Sequence, residues 1–368
     1  MRLPLFASLI ATGQIVTGQI AYAEPPRVVA DILPLHSMAA AVTKGVSTPE
    51  FLLPPGADPH GYALRPSEAR ALSNADVVLW VGPVLTPWLE QPLDNLATNA
   101  ARLTAQEMAG IELLPMRALE DFGTGDGHDH DAHDHAKHDE HDHDDHDHAK
   151  HDEHDHDDHD HAKHEEHDHD DHDHAKHEEH DHDEHDHAKH DAHHGHNHGP
   201  EDAHLWLDPA NAVIIATALA DHLAKIDPDN AATYQSNAEA FAATLATKSE
   251  MLRDAAEPLR DVAFLVDHDS YRYIEDAFGL TPAGTLSLAT GAPASPSHLQ
   301  ELTVVLAETS ITCLFLDPAS NTQRADTFLP ATLTRVSLDP LGSTLTPGPE
   351  LYGDLLTSVA EAYAGCAS

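Results

Sequence analysis

The chain has 368 residues, with 19 Lys or Arg against 64 Asp or Glu, and its formal net charge is -45. This negative field repels nucleic-acid phosphates and anionic lipid headgroups and attracts cations, so DNA, RNA and anionic membrane surfaces are poor partners. The length exceeds that of one average domain and predicts two lobes once any segment that cannot fold is subtracted.

Residues 1–23 are predicted to be a signal peptide. They contain Arg2, then a mostly apolar stretch too short to span a bilayer, and the small residues Ala21 and Ala23 before the expected cleavage. No later segment approaches twenty apolar residues. We therefore expect the mature protein to be exported and soluble.

Residues 24–228 are predicted to form a first α/β lobe. Its candidate strands are "RVVADILPL", "ADVVLWVG" and "GIELLP", and a helix is expected from His36 to Lys44. Farther along, "DPANAVIIATALADHLAKID" opens with an Asp cap and spaces its apolar residues by three and four, which predicts a helix. Strands that alternate with helices are typical of a parallel sheet.

A histidine- and aspartate-rich insertion, residues 124–200, interrupts this lobe. A thirteen-residue unit, "AKHDEHDHDDHDH", begins at Ala136 and recurs three times. Because no Leu, Ile, Val, Phe or Trp occurs between His128 and His198, nothing can be buried and we expect disorder. An acidic solubilising loop would explain the aspartates, but not 29 of the 35 histidines. The insertion is therefore predicted to hold several weak metal sites.

Residues 229–257 are predicted to be one long helix that links two lobes. The stretch "NAATYQSNAEAFAATLATKSEMLRDAAEPL" has no Gly and no Pro before Pro258. The strand pattern restarts in residues 258–368 with "DVAFLVDH", "GLTPAGTL" and "ITCLFLDP", and the chain closes with the helix-like "GPELYGDLLTSVAEAYAG". The expected fold is thus α/β, with two lobes that each contain a parallel sheet flanked by helices, one linker helix and a disordered insertion.

The two cysteines, Cys313 and Cys366, are expected to form a disulfide. Two thiols in an exported protein more often pair than remain free. Two independent buried thiols are the alternative, and two cysteines alone make a poor zinc site.

Three histidines outside the insertion lie where strands or loops meet helices. His60 occurs in "PPGADPHGY", His204 in "EDAHLWLDP" and His268 in "FLVDHDSY". His268 ends a strand-like run, the position where ligand sites gather in open α/β sheets. A lone loop histidine is usually just solvated, so the three are judged as a set. Asp339 in "VSLDPLG" follows another strand-like run and is an available oxygen ligand.

The other three histidines outside the insertion, His36, His222 and His298, are assigned surface or capping roles. His222 falls on the expected exposed face of its helix. Neither His36 nor His298 has an acidic or histidine neighbour in the sequence.

Four motifs together resemble the zinc-binding periplasmic component of high-affinity zinc ABC transporters, the ZnuA-like members of the cluster A-I binding proteins. They are "LLPPGADPHGYALRPSEARALSNADVVLWVG", "DAHLWLDPANA", "FLVDHDSYRYIEDAFGL" and "SLDPLG", and they span the mature chain in order. The resemblance implies two α/β lobes joined by a rigid helix, one metal ion in the cleft between them, and no enzymatic activity. It also implies a monomer that works with a membrane permease and receives zinc from a possible periplasmic carrier.

By the same resemblance, the zinc ligands are His60, His204 and His268. Manganese-binding relatives typically present a carboxylate where this chain has His268, and three neutral imidazoles suit zinc better. Some zinc members carry an acidic residue where this chain has Pro59. Asp339 matches the family's aspartate and is the expected fourth ligand, with a water molecule as the competitor. The pairing of the two cysteines also resembles the disulfide of zinc members.

Two other functions remain open from the sequence. Three histidines with an open fourth position are also a catalytic zinc arrangement, although the chain contains no HExxH motif. The other alternative is a periplasmic zinc buffer or storage protein, in which the insertion binds the zinc and the lobes only display it. Since the insertion separates the His60 and His204 motifs, we expect both of its ends to lie near the cleft.

Overall fold

Short β-branched and aromatic runs form two four-stranded parallel sheets in the part of the chain that the structure describes. The structure is a computed structural model that describes residues 24–117, 122, 201–293, 295–318 and 323–368. The predicted signal peptide and insertion lie outside these residues. The described residues belong to one compact unit.

The strands are β1 (Val28–Ala30), β2 (Glu50–Phe51), β3 (Val77–Trp80), β4 (Ala101–Thr104), β5 (Phe264–Val266), β6 (Gly284–Thr285), β7 (Cys313–Leu316) and β8 (Thr334–Ser337). The helices are α1 (Leu33–Val42), α2 (Pro66–Asn74), α3 (Glu90–Leu96), α4 (Pro209–Ile226), α5 (Ala231–Ala256), α6 (Arg272–Phe278), α7 (Pro296–Glu308), α8 (Gln323–Phe328) and α9 (Leu351–Ala367).

Both sheets have the same topology. The first has the order β2-β1-β3-β4 and the second the order β6-β5-β7-β8, with every pairing parallel. In each sheet the two central strands are almost wholly apolar and buried, as expected for strands covered on both faces. The predicted fold of two parallel-sheet lobes is confirmed.

The prediction of a strand at "GIELLP" is wrong. Residues 110–115 contain no strand apart from an isolated antiparallel bridge between Pro115 and Glu201, and the edge strand of the first sheet is β4. Ile111 and Leu113 are apolar because they pack against the core as irregular chain. Leu114 donates its backbone N–H to the hydroxyl of Tyr273 rather than to a strand.

The long linker helix is present as α5. Its 26 residues span about 39 Å at 1.5 Å per residue. Buried residues, among them Tyr234, Phe241, Leu245 and Leu252, recur at helical spacing and contribute to the core shared by both lobes. The helix contacts α1 and α4 of the first lobe and α9 of the second.

The structure joins Cys313 of β7 to Cys366 of α9 in a disulfide with a Cα–Cα distance of 5.6 Å, as predicted. The bond ties the last helix to a central strand. No helix in the described ranges combines the length and apolar character needed to cross a membrane.

The surface roles assigned to His36 and His298 are wrong, because both side chains are buried. His36 Nε2 lies 3.2 Å from the carbonyl oxygen of Pro49, and the His36 ring packs edge-on against Phe51. His298 Nε2 lies 2.9 Å from the carbonyl oxygen of Thr285. Local backbone acceptors, which the sequence does not reveal, satisfy one nitrogen of each ring.

Candidate metal centre

The three predicted histidines meet at one cavity. His60 lies in the loop between β2 and α2, His204 begins the turn that leads into α4, and His268 follows β5 by two residues. One ring nitrogen from each lies within 4.8 Å of the other two. Distant motifs are thus brought together at a spacing that a single ion can bridge after a small contraction.

His204 is held by the carboxylate of Asp202. Asp202 Oδ1 lies 2.8 Å from the backbone nitrogen of His204 and 2.9 Å from its Nδ1, and both side chains are buried. Burial acts to raise the pKa of Asp202, but His204, with a further effect of Arg117, outweighs it and lowers the pKa. An ionised Asp202 keeps the proton on Nδ1 and leaves the Nε2 lone pair for a metal.

His60 has an orphaned ring nitrogen. Its Nε2 is buried and has no hydrogen-bond partner among the described residues, an arrangement that costs free energy unless something binds there. Burial, together with the neighbouring His204 and His268, lowers the pKa of His60 to about 4. The ring is therefore neutral at pH 7, as metal ligation requires.

The main chain around His60 is fixed from two sides. Its N–H donates to Asp58 Oδ1 at 2.9 Å, and the indole N–H of Trp88 donates to the carbonyl of Pro59 at 2.8 Å. A β-carbon on Gly291 would lie 3.4 Å from the His60 ring, so a turn of the second lobe approaches the ring closely.

His268 has a more distant carboxylate. Its Nδ1 lies 3.8 Å from Asp317 Oδ2, and its Nε2 lies 3.4 Å from the carbonyl oxygen of Ala289. Burial acts to lower the pKa of His268, but Asp317 outweighs it and the net pKa is raised. Without a metal, His268 thus holds a proton to a higher pH than a free imidazole does.

Asp339 lines the same cavity but is engaged by its own loop. Its Oδ1 accepts from Leu341 N at 3.0 Å, and its Oδ2 accepts from the Ser343 hydroxyl at 2.8 Å and Thr344 N at 3.3 Å. It is not in the group whose ligand atoms lie within 4.8 Å of one another. Its role as fourth ligand stays a prediction.

The cavity is small and acidic. It has a volume of about 230 Å³, below the usual size of a pocket for a drug-sized organic ligand. Its lining includes Asp58, Asp267, Asp317 and Asp339 and, within the described part of the chain, no Lys or Arg. Such a cavity favours a cation over an organic or anionic ligand.

Sequence reasoning missed the carboxylates that support the ligands. Asp202 stands two residues before His204, and an Asp-x-His pair is a usable local signal for a carboxylate–imidazole contact. Asp317 directly follows β7, where the rule used for His268 could have identified it. No local signal indicates that Arg117 lies close to Asp202.

The fold and the cavity define a two-lobed α/β binding protein with three histidines converging where the lobes meet. A sequence profile of the ZnuA family, described as "Zinc-uptake complex component A periplasmic", matches residues 28–366. The chain belongs to this family.

Individual relatives agree with this assignment. The chain is 37% identical over 363 residues to the "High-affinity zinc uptake system protein ZnuA" of Paracoccus denitrificans, covering 98% of each chain. It is 34% identical over 342 residues to the protein of that name from Brucella suis, covering 93% of this chain and 91% of the relative. A crystal structure of ZnuA superposes with a TM-score of 0.65 at 20% identity, covering 94% of this chain and all of the other, which shows a shared fold.

Proposed function

We propose that this protein captures Zn²⁺ in the periplasm and delivers it to the membrane permease of an ABC transporter. The observation that carries the proposal is the convergence of His60, His204 and His268 on one acidic cavity in a member of the ZnuA family. The names of its relatives, which describe high-affinity zinc uptake, support zinc as the cargo.

The donor set favours zinc. Zinc binds imidazole nitrogen at about 2.0–2.1 Å, so two ligands of a tetrahedral site lie about 3.3 Å apart. Nitrogens that lie up to 4.8 Å apart in the described structure must draw together by up to about 1.5 Å. Three neutral imidazoles suit zinc, whereas manganese prefers oxygen donors.

The fourth position belongs to Asp339 or to a water molecule. Asp339 would have to give up hydrogen bonds from its own loop to bind the metal directly. A water molecule held by Asp339 would need no such exchange. We therefore expect Asp339→Ala to weaken zinc binding less than loss of a histidine does.

Binding without catalysis is the function that the carboxylates support. Asp339, which lines the cavity, already accepts hydrogen bonds from its own loop, and the relatives are named as zinc uptake proteins rather than enzymes. We also propose that the insertion recruits additional zinc and that the protein acts as a monomer. The proposed boundaries are residues 24–228 for the first lobe, 229–257 for the linker helix and 258–368 for the second lobe.

The test is competition with a fluorescent zinc chelator at one equivalent of zinc. Alanine at His60, His204 or His268 should each weaken the tight site at least about tenfold, because one of few metal ligands is lost. His222→Ala is the matched control, since His222 lies on α4 outside the cavity lining. Wild-type affinity in all three ligand variants would refute the proposed site.

A further inference from the structure

The described chain just before the insertion pairs with the described chain just after it. Pro115 and Glu201 form an antiparallel bridge, and the carbonyl of Leu114 accepts from Asp202 N at 2.8 Å. The hydroxyl of Tyr273 accepts from Leu114 N and donates to the carbonyl of Asp202, both at 3.0 Å. The chain before the insertion and the chain after it are thus fastened to α6 of the second lobe.

Arg117, the last described residue before residues 118–121, lies at the centre of this junction. Its Nη1 lies 2.7 Å from Asp269 Oδ1 and its Nη2 lies 2.5 Å from Glu275 Oε2. All three side chains are at least nine-tenths buried, and the ring of Phe122 lies 5.6 Å from the guanidinium carbon. A guanidinium that pairs with two carboxylates is strongly held when all three groups are buried, and removing one partner leaves buried charges uncompensated.

The same guanidinium acts on both carboxylates next to the ligands. Asp269 directly follows His268, and Asp202 supports His204. Asp202 Oδ2 is buried without a hydrogen-bond partner among the described residues, so the contacts of Oδ1 with His204 hold this side chain in place. Arg117 attracts Asp202, whereas Asp202 and Asp269 repel each other.

We propose that Arg117 is a positioning residue for the zinc site, anchoring Asp269 beside His268 and the paired chain segments that carry Asp202 beside His204, so that both histidines face one ion. The inference rests on the proposed function. Arg117 is absent from the cavity lining and acts through the residues that it holds. Without its guanidinium the fork to Asp269 and Glu275 is lost, so the backbone beside His268 and the paired segments that lead to His204 lose a fixed anchor.

Two substitutions separate the charge of Arg117 from its geometry. Arg117→Met removes the charge and keeps most of the side-chain length, so zinc affinity should fall about 10- to 100-fold, the usual cost of losing a partner that orients a metal ligand. Arg117→Lys keeps the charge but cannot bind two carboxylates as a planar fork, so it should restore part of the affinity.

Thr86→Val is the matched control for a general loss of stability. The Thr86 hydroxyl accepts from the indole N–H of Trp80 and donates to Asp31, a buried network of the first lobe away from the cavity. The substitution removes buried hydrogen bonds of comparable kind and should leave zinc affinity unchanged.

The experiment uses the full chain, with one equivalent of Zn²⁺ competed by a chelator and one equivalent of Co²⁺ followed by its visible absorption, which reports ligand geometry. We expect weaker zinc binding and an altered cobalt spectrum for Arg117→Met, with partial rescue in Arg117→Lys.

If Arg117→Met does not fold by circular dichroism, Arg117→Lys must still show both changes. Wild-type affinity and spectrum in the folded variants, or an equal loss in Thr86→Val, would overturn the inference. Absence of tight zinc binding in the wild-type chain would instead overturn the proposed function.

Discussion

The three histidines receive unequal support from their neighbours. His204 has a buried carboxylate at 2.9 Å, His268 has one at 3.8 Å, and the Nε2 atom of His60 has no partner among the described residues. A ring fixed by a hydrogen bond loses less freedom when it binds a metal. We therefore expect the His204 ring to be correctly oriented before zinc binds, whereas the position of the His60 ring depends on its loop.

Zinc affinity should fall with acid through the protonation of His268. Asp317 raises the pKa of this ring, whereas the pKa of His60 is only about 4. Zinc must displace the proton from His268, so the apparent affinity should drop about tenfold per pH unit below that raised pKa. Chelator competition from pH 8 to pH 5 measures this drop.

Asp317→Asn provides the control for this pH dependence. Removing the carboxylate charge lowers the pKa of His268, so the drop in zinc affinity should begin at a lower pH than in the wild type. A drop at an unchanged pH would show that another group sets the profile.

At the scale of elements, the loop that carries His60 is attached through its backbone. Trp88 donates to the Pro59 carbonyl, and the Trp88 ring packs edge-on against Tyr62 with centroids 5.4 Å apart. Pro59 has no N–H of its own to strengthen the turn. The indole contact therefore does much to set the position of His60.

Trp88→Phe should release this loop while keeping an aromatic ring. We expect faster zinc dissociation and a several-fold weaker affinity, because one hydrogen bond of about 1 kcal/mol is lost. Stopped-flow transfer of zinc to a chelator measures the rate. Trp80→Phe, which removes an indole bond to Thr86 in the core, is the control, and an equal acceleration there would contradict the assignment to the loop.

The sequence predicts the central strands of both sheets and the edge strands of the second sheet, but not the edge strands of the first. β1, β3, β5 and β7 are apolar runs, whereas β2 has two residues and β4 carries the exposed Arg102, so neither shows a recognisable pattern. Similarly, the ligand histidines stand in recognisable motifs, but the contacts of Arg117 span more than 150 residues of sequence. Long-range partners of this kind follow from the tertiary fold alone.

At the scale of the whole molecule, the insertion and the cleft should behave as separate classes of zinc site. The repeated units of the insertion offer many imidazoles and carboxylates but no apolar residues for a core that would hold them in place, so their sites should be weaker than the cleft but numerous. Deleting residues 128–198 should leave one tight site nearly unchanged and abolish several weaker ones. Calorimetry of both proteins measures this, and equal stoichiometry or loss of the tight site would contradict it.

The same deletion should slow growth mainly when zinc is scarce or must be captured from another carrier. Metal held on the same chain as the tight site would remain at a high effective concentration, an advantage that disappears when zinc is abundant. Growth across a range of chelator concentrations, with a complemented strain as control, tests this. An equal defect at all zinc levels would point to damage at the tight site.

The α5 helix should also restrict how the two lobes can move during zinc exchange. A strut of about 39 Å that packs on both lobes, together with the fastening at Arg117, opposes the hinge motion by which two lobes would open and close. Hinge motions take microseconds to milliseconds, whereas loops move in nanoseconds to microseconds. We therefore expect zinc to leave by local displacement of the His60 loop rather than by rearrangement of the lobes.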